Sequence, residues 1–242
     1  MASRKSYRRG YPVALLVGIN QNTTSIWKVY SNVVKPEITF HIDGSRNDPK
    51  SLYNFHESIV NALRPSLKEG VKSIILTSLP RTNFTSDFLK HVKDHHAWLV
   101  QGPTKAVFAE MKGAATSTHD VTVLTRLSAF RRIIGETTLE EAENLLELVE
   151  KRLGFTGPEQ LVLYSLEEIE KALYSSCVSG KPKPEYIVLT DIYNSTNRQK
   201  HRLQRLQQIA TNKSVKVRIV SLKSDAGKRV SQLGGIICIL QL

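Results

Sequence analysis

Cysteine is nearly absent: the 242 residues include two, Cys177 and Cys238. They lie far apart among apolar or small neighbours. That excludes a disulfide framework and a cysteine-based zinc site, and both read as buried free thiols. Long apolar runs are missing too. None approaches the roughly 18 residues needed to cross a bilayer, so no membrane partner is expected. Acid is missing from the first eleven residues, which carry Arg4, Lys5, Arg8 and Arg9. This stretch lacks the apolar core of a secretory signal. Its basic, serine-bearing composition also describes an organelle transit peptide, but a strand begins at once after it. The expectation is a basic arm, residues 1–10, lying on RNA. No Gly-x-Ser-x-Gly elbow and no phosphate-binding glycine loop occurs. Gly234-Gly235 precedes a strand rather than a helix, so it reads as a turn or close-packing site. No cofactor is expected.

What is abundant is positive charge. Lys and Arg total 34 against 22 acids, a formal net charge of +12. Such an excess favours an acidic partner, nucleic acid first. Hydrophobic content of 40% is enough for a proper core, in one large domain or two small ones.

Strand, polar loop and long helix succeed one another over residues 39–65. Thr39-Phe40-His41-Ile42 ends a strand. Residues 43–50, Asp-Gly-Ser-Arg-Asn-Asp-Pro-Lys, are rich in turn formers. Leu52, Phe55, Ile59 and Leu63 then recur at helical spacing. Asp48 or Asn47 can cap this helix, Pro49 sits where a missing N–H costs nothing, and Pro65 stops it. The loop carries Arg46 and Lys50 at a helix N-terminus, where phosphate can be touched. Around it, 13–17 is a continuous apolar run, a strand buried on both faces. Strands at 25–30 and 35–42 complete a meander, 71–77 is another buried strand, 84–96 a helix, and 97–100 and 105–112 short strands. The sum is a mixed sheet with helices on its faces over residues 11–122.

A second unit is expected over 123–242. Thr138 caps a helix to Arg152, with Glu141 closing the capping box. Strands and helices then alternate, ending with a helix at 197–210, a strand at 216–220, a helix at 225–233 and a strand at 236–240. This pattern predicts an α/β/α sandwich. Charge is lopsided within it. Residues 136–170 carry ten acids against Lys151 and Arg152, while 181–229 carry twelve Lys or Arg against Glu185, Asp191 and Asp225. The split suggests oriented docking on a polyanion.

Metal chemistry has little support in the residues. His91 and His95 have the four-residue spacing of a metal pair, and His96 follows. The metalloprotease glutamate is absent from His91-Val92-Lys93-Asp94-His95, and Lys93 disfavours a cation, so these read as exposed helix histidines and no metal is expected. A two-metal nuclease needs clustered carboxylates on strands, and the first strand carries none.

The last stretch is the most specific. Residues 221–240 give a polar, glycine-containing turn, a short helix, then a Gln-Leu–Gly–apolar strand, with Gly227, Gln232, Leu233, Gly235 and Leu240 in place. This resembles the end of the third domain in the Pelota and archaeo-eukaryotic class-1 release-factor superfamily. Tyr164-Ser165-Leu166 looks like the family's Tyr-Gly-Leu segment, and 186–191 like the strand after it. The meander, loop, helix and following strand are similar, more loosely, to the family's central domain. The resemblance implies an α/β chain of two domains: an RNase H-like central domain, then a sandwich resembling the ribosomal proteins that bind kinked RNA. The family's N-terminal decoding domain has no counterpart here beyond the basic arm.

The resemblance makes loop 43–50 the place to judge activity. Release factors carry Gly-Gly-Gln there, to place water on the peptidyl-tRNA ester. This loop has neither the Gly-Gly pair nor the glutamine. Pelota-type members also lack the motif and have a basic loop. They contact a translational GTPase through a Pro-Gly-Phe turn, whose counterpart here is Pro80-Arg81-Thr82-Asn83-Phe84. The reading is therefore a cytoplasmic, non-catalytic ribosome-binding factor acting in the A-site and tRNA space, in rescue of stalled ribosomes or occupancy of idle ones. Expected contacts with ribosomal RNA or P-site tRNA are Arg4, Lys5, Arg8, Arg9, Arg46, Lys50, Arg198, Arg202 and Arg205. The last three are expected on one helix face, opposite Leu203, Leu206 and Ile209. Pro80, Arg81 and Phe84 are the expected GTPase contact. Two alternatives stay open: a peptidyl-tRNA hydrolase using His41, Asn47 or His56, and a free-standing tRNA or RNA binder.

Overall fold

The computed structural model describes residues 10–157, 161–175 and 182–241. Arg4, Lys5, Arg8, Arg9 and Cys177 lie outside them. The chain divides into two compact units, one through Arg64 plus Val71–Thr138, the other Pro65–Gly70 plus Leu139 onward.

In the first unit β1 (Pro12–Ile19), β2 (Thr23–Tyr30) and β3 (Val34–His41) form the expected antiparallel meander. Helix α1 (Pro49–Lys68) leads to β4 (Ser73–Ser78), which pairs parallel with β1. Helices α2 (Phe84–His95) and α3 (Ala97–Val100) lead to β5 (Val107–Lys112), parallel to β4. The order β3-β2-β1-β4-β5 is the RNase H-like arrangement. β1 reads apolar on both faces because both are covered. Ala14, Leu16, Trp27, Val29, Ile75 and Met111 form one core with Val121 and Leu124 of α4 (Thr118–Arg126) and Phe130 of α5 (Ser128–Leu153). Leu15, Val17, Ile74 and Leu76 alternate with these along the strands and are equally buried, as are Phe55, Ile59 and Leu63 of α1 and Phe88 and Val92 of α2. β3 is the outer strand; it slips register against β2 between Ile26 and Trp27, where Pro36 faces Trp27.

The second unit holds β6 (Val162–Leu163), α6 (Leu166–Ser175), β7 (Pro184–Thr190), α7 (Asp191–Thr196), α8 (Lys200–Asn212), β8 (Lys216–Val220), α9 (Asp225–Gln232) and β9 (Ile236–Leu240), in the sheet order β6-β9-β7-β8. Period-two alternation builds two cores. Tyr186, Val188, Ile237 and Ile239 pack with Leu145 and Val149 of α5 and Val230 of α9. Ile187, Leu189, Ile236 and Cys238 pack with Ile169 of α6 and Leu203 and Leu206 of α8. This is the expected α/β/α sandwich.

Four local readings change. The helix expected to begin at Thr138 begins at Ser128, and Thr138 Oγ1 donates back to Ile134 O at 2.7 Å instead of capping. Residues 123–138 therefore stay with the first unit, where Phe130 joins its core, and compactness divides the chain at 138 rather than 122. Pro65 lies inside α1 rather than ending it. Ala97–Val100 is a helical turn, not a strand. No helix among the described residues is long and apolar enough to cross a membrane.

Candidate functional site

Loop 43–50 is built as its sequence implies. Asp48 caps α1: Ser51 N–H donates to Asp48 Oδ2 at 2.9 Å and Ser51 Oγ at 2.6 Å. These bonds, from the side chain first, hold the Asp48 carboxyl below its ordinary value. Asn47 and Lys50 are exposed. Arg46 is not free for phosphate. It turns inward, donating from Nη1 to Asn20 O at 2.7 Å and Gln21 O at 3.1 Å. Its guanidinium also stacks on Phe84, 4.0 Å from the ring centroid, and lies 5.6 Å from that of Phe55. Burial pushes its pKa down, against the pull of Asp87.

The turn before α2 shares this contact. Pro80 and Arg81 are exposed, and Arg81 adopts φ +64°, a left-handed conformation that glycine takes without penalty. Thr82 Oγ1 donates to Leu79 O and Lys112 Nζ to Thr82 O, which fix the turn. Phe84 is half-buried beneath Arg46. Two residues assigned from sequence to different partners are thus each other's partner.

Behind the loop lies a histidine cluster, three of whose rings are buried. His56 and Glu57 of α1 face His91 and His95 of α2 and the adjoining His96. Glu57 Oε1 is 2.7 Å from His96 Nε2 and 3.1 Å from His91 Nε2. His91 and His96 are buried, not exposed. Burial lowers the His91 pKa more than Glu57 raises it. Burial would raise Glu57, but the bonds from His96 and His91 outweigh it and bring it below its ordinary value. His56 is 3% exposed, and burial, then His91 and Arg46, pushes it down to about 4. A ring so enclosed cannot reach a substrate at the surface. His41 is exposed on β3, its Nδ1 3.3 Å from Thr23 Oγ1. His41, Asn47 and His56 are not brought together in any bonded constellation among the described residues. The spacing of the histidines carries no sign of Glu57, which comes from another helix, 34 residues before His91.

The terminal segment explains its own residue choices. Ser224 caps α9 through Gly227 N–H, and a Cβ at Gly227 would stand 2.0 Å from Ser221 O, so no side chain fits. Gly235 has φ +85° and packs against Tyr193. Residues 138–242 match the family model eRF1 domain 3. That match covers less than half of the chain. Archaeal Pelota, solved in a model of ribosome-bound Pelota with ABCE1, matches over 100% of this chain and 64% of its own, with 16% identity and a TM-score of 0.53. Saccharomyces cerevisiae Dom34, described as a translation termination-like factor in RNA quality control that interacts with Hbs1, matches over 99% and 65%, with 16% identity and a TM-score of 0.49. Thermoplasma acidophilum Pelota matches over 98% and 66%, with 17% identity and a TM-score of 0.38. The chain spans less than two thirds of the first two. No curated protein matches it in sequence. The resemblance to the Pelota and release-factor superfamily thus rests on the sequence of domain 3 and on the shared fold.

Within domain 3 the three expected arginines separate. Arg198 precedes α8 instead of lying on it. Arg202 is engaged by Glu170 of α6, with Nη2 2.6 Å and Nε 2.9 Å from the carboxylate, which raises its pKa. Arg198 and Arg205 are exposed. Elsewhere in the domain Arg218 and Glu141 are buried together, Nε 2.7 Å from Oε1, a pair invisible in the sequence.

Proposed function

We propose that this protein is a non-catalytic, Pelota-like translation factor that binds the ribosome in the A-site and tRNA space. One observation carries the reading. An RNase H-like unit followed by an eRF1 domain 3 reproduces the fold of archaeal Pelota across the whole chain, while loop 43–50 has no Gly-Gly-Gln. Without that glutamine, water has no placed amide at the ester. The net charge of +12 supports a ribosomal RNA surface, with P-site tRNA within reach. Rescue of stalled ribosomes or occupancy of idle ones is the role this implies, in the cytoplasm. Lys50, Arg198 and Arg205 are the described contacts that remain open, with Arg4, Lys5, Arg8 and Arg9 as the arm's contribution. Pro80 and Arg81 are the surface offered to a translational GTPase; Phe84 supports them from beneath.

Co-sedimentation of the purified chain with ribosomes tests this. Binding at low salt, steep loss as salt rises, and no release of peptide from peptidyl-tRNA are expected. Absence of binding at low salt overturns the ribosomal reading, and peptide release by the protein alone overturns the non-catalytic one. Comparing occupancy on stalled and idle ribosomes separates rescue from hibernation.

A further inference from the structure

Glu57, His91 and His96 serve no step of the proposed function, yet they are closely assembled. Their donor atoms all lie within 4.8 Å of one another. Both imidazoles turn Nε2 toward the same carboxylate oxygen, at 2.7 and 3.1 Å. The side chains of His91 and His96 are 6% and 8% exposed, while Glu57 at 26% leaves a way in from solvent. No lysine or arginine pairs with Glu57 among the described residues. The exit from α2 makes the assembly. His96 N–H still bonds to Val92 O, but φ −129° and ψ 52° take His96 out of the helix and let its ring join that of His91, 5.5 Å away. The helical pair His91 and His95, which the sequence offers as ligands, is not the one used. Beside the cluster His56, almost fully buried, has an Nε2 with no hydrogen-bond partner and a ring 5.0 Å from that of His91.

We propose that Glu57, His91 and His96 are the protein ligands of a divalent transition-metal site, with zinc the favoured ion and the fourth position left to water. Two imidazoles and one carboxylate are a donor set zinc takes in tetrahedral sites with an open position. Bonds of about 2.0–2.2 Å would set the donors ~3.3 Å apart. The Glu57 oxygen, 2.7 and 3.1 Å from the two imidazole nitrogens, would open by a few tenths of an ångström, a movement its flexible side chain supplies, and the histidine donors already lie within 4.8 Å of one another. A bound ion would tie α1 to α2 directly behind loop 43–50. The site stands independently of whether the protein binds ribosomes.

The test uses the full chain, stripped with a chelator and titrated with Zn²⁺ against a chromophoric competitor. One equivalent is expected, with a higher midpoint of thermal unfolding when the ion is present. Glu57→Gln and His96→Gln are each expected to weaken binding by about tenfold or more, and His95→Gln to leave it unchanged. Co²⁺ added to the unsubstituted chain needs no variant to fold: a tetrahedral visible spectrum supports the site, an octahedral one overturns it. Binding of less than one equivalent at micromolar zinc, or equal affinity in the folded Glu57→Gln and His96→Gln variants, also overturns it. The three residues would then be a hydrogen-bonded link between helices and nothing more.

Discussion

The Arg46 guanidinium lies 4.0 Å from the ring centroid of Phe84, joining loop 43–50 to the turn before α2. The same group donates to the carbonyls of Asn20 and Gln21. Arg46 therefore acts as a brace. Arg46→Met is expected to cost about 1–3 kcal/mol in urea unfolding, the range for charged hydrogen bonds lost from a partly buried site. Lys50→Ala should shift stability by less than about 0.5 kcal/mol. On polyanion the order reverses: Lys50→Ala should lower the salt slope by about one, as for a lost phosphate contact, in a binding assay run at several salt concentrations.

Arg81 occupies a left-handed conformation with φ +64° in an exposed turn. A Cβ there is strained against the following carbonyl. Arg81→Gly is expected to stabilise the protein by about 0.5–1 kcal/mol, the relief exceeding the added freedom of the unfolded chain. Equilibrium denaturation of the two proteins side by side measures it.

Arg218 and Glu141 are 5% and 4% exposed. Removing one charge strands the other in a poor solvent. Glu141→Gln should cost about 3–5 kcal/mol, and Glu141→Leu combined with Arg218→Met should recover most of the loss. A double-mutant cycle by chemical denaturation isolates the coupling.

High pH should weaken domain 3. Burial raises the Cys238 thiol to about 12 from 9.0, and burial, then Glu185 and Glu141, raises the Tyr186 hydroxyl as well. Between 9.0 and about 12 the unfolded chain has released the Cys238 proton and the folded chain has not. The unfolded state then binds fewer protons, so stability falls as pH rises through this window, by up to about 1.4 kcal/mol per pH unit for each group. Below pH 9 these groups contribute no slope. Cys238→Val should flatten the decline in unfolding curves taken from pH 8 to pH 11, and the native thiol should resist a thiol reagent until the domain unfolds.

Arg205 and Arg202 should behave differently although they share α8. Arg205→Glu is expected to weaken polyanion binding directly. Arg202→Glu removes a cation already held by Glu170 and sets two carboxylates together, so its first effect should be a lower thermal midpoint. Melting curves read beside filter binding separate the two.

Sequence reached the elements whose determinants are local. Asp48 and Pro49 announce the start of α1, alternation separates the two faces of β7 and β9, and Gly227 with Gly235 marks the terminal turn. It failed where a local cue met a stronger neighbour. Thr138 and Glu141 spell a capping box, but the upstream stretch with Phe130, Ile133 and Ile134 packs helically on the first core, and the cue is overridden. It also failed where partners are distant in the chain. Nothing near Arg46 predicts Phe84, and nothing near His91 predicts Glu57. The candidate site is assembled from such long-range pairs, so its charges were legible and their commitments were not.

The outer strand of the first sheet bears on how the molecule tolerates crowding. At Pro36 the backbone has no N–H to offer, and the register slip opposite Trp27 breaks the regularity of the neighbouring hydrogen bonds. With Lys35 and Glu37 exposed on either side, an extended peptide from another molecule finds an interrupted, charged border instead of a template. A second copy of the protein thus finds no regular edge along β3 on which to add a strand.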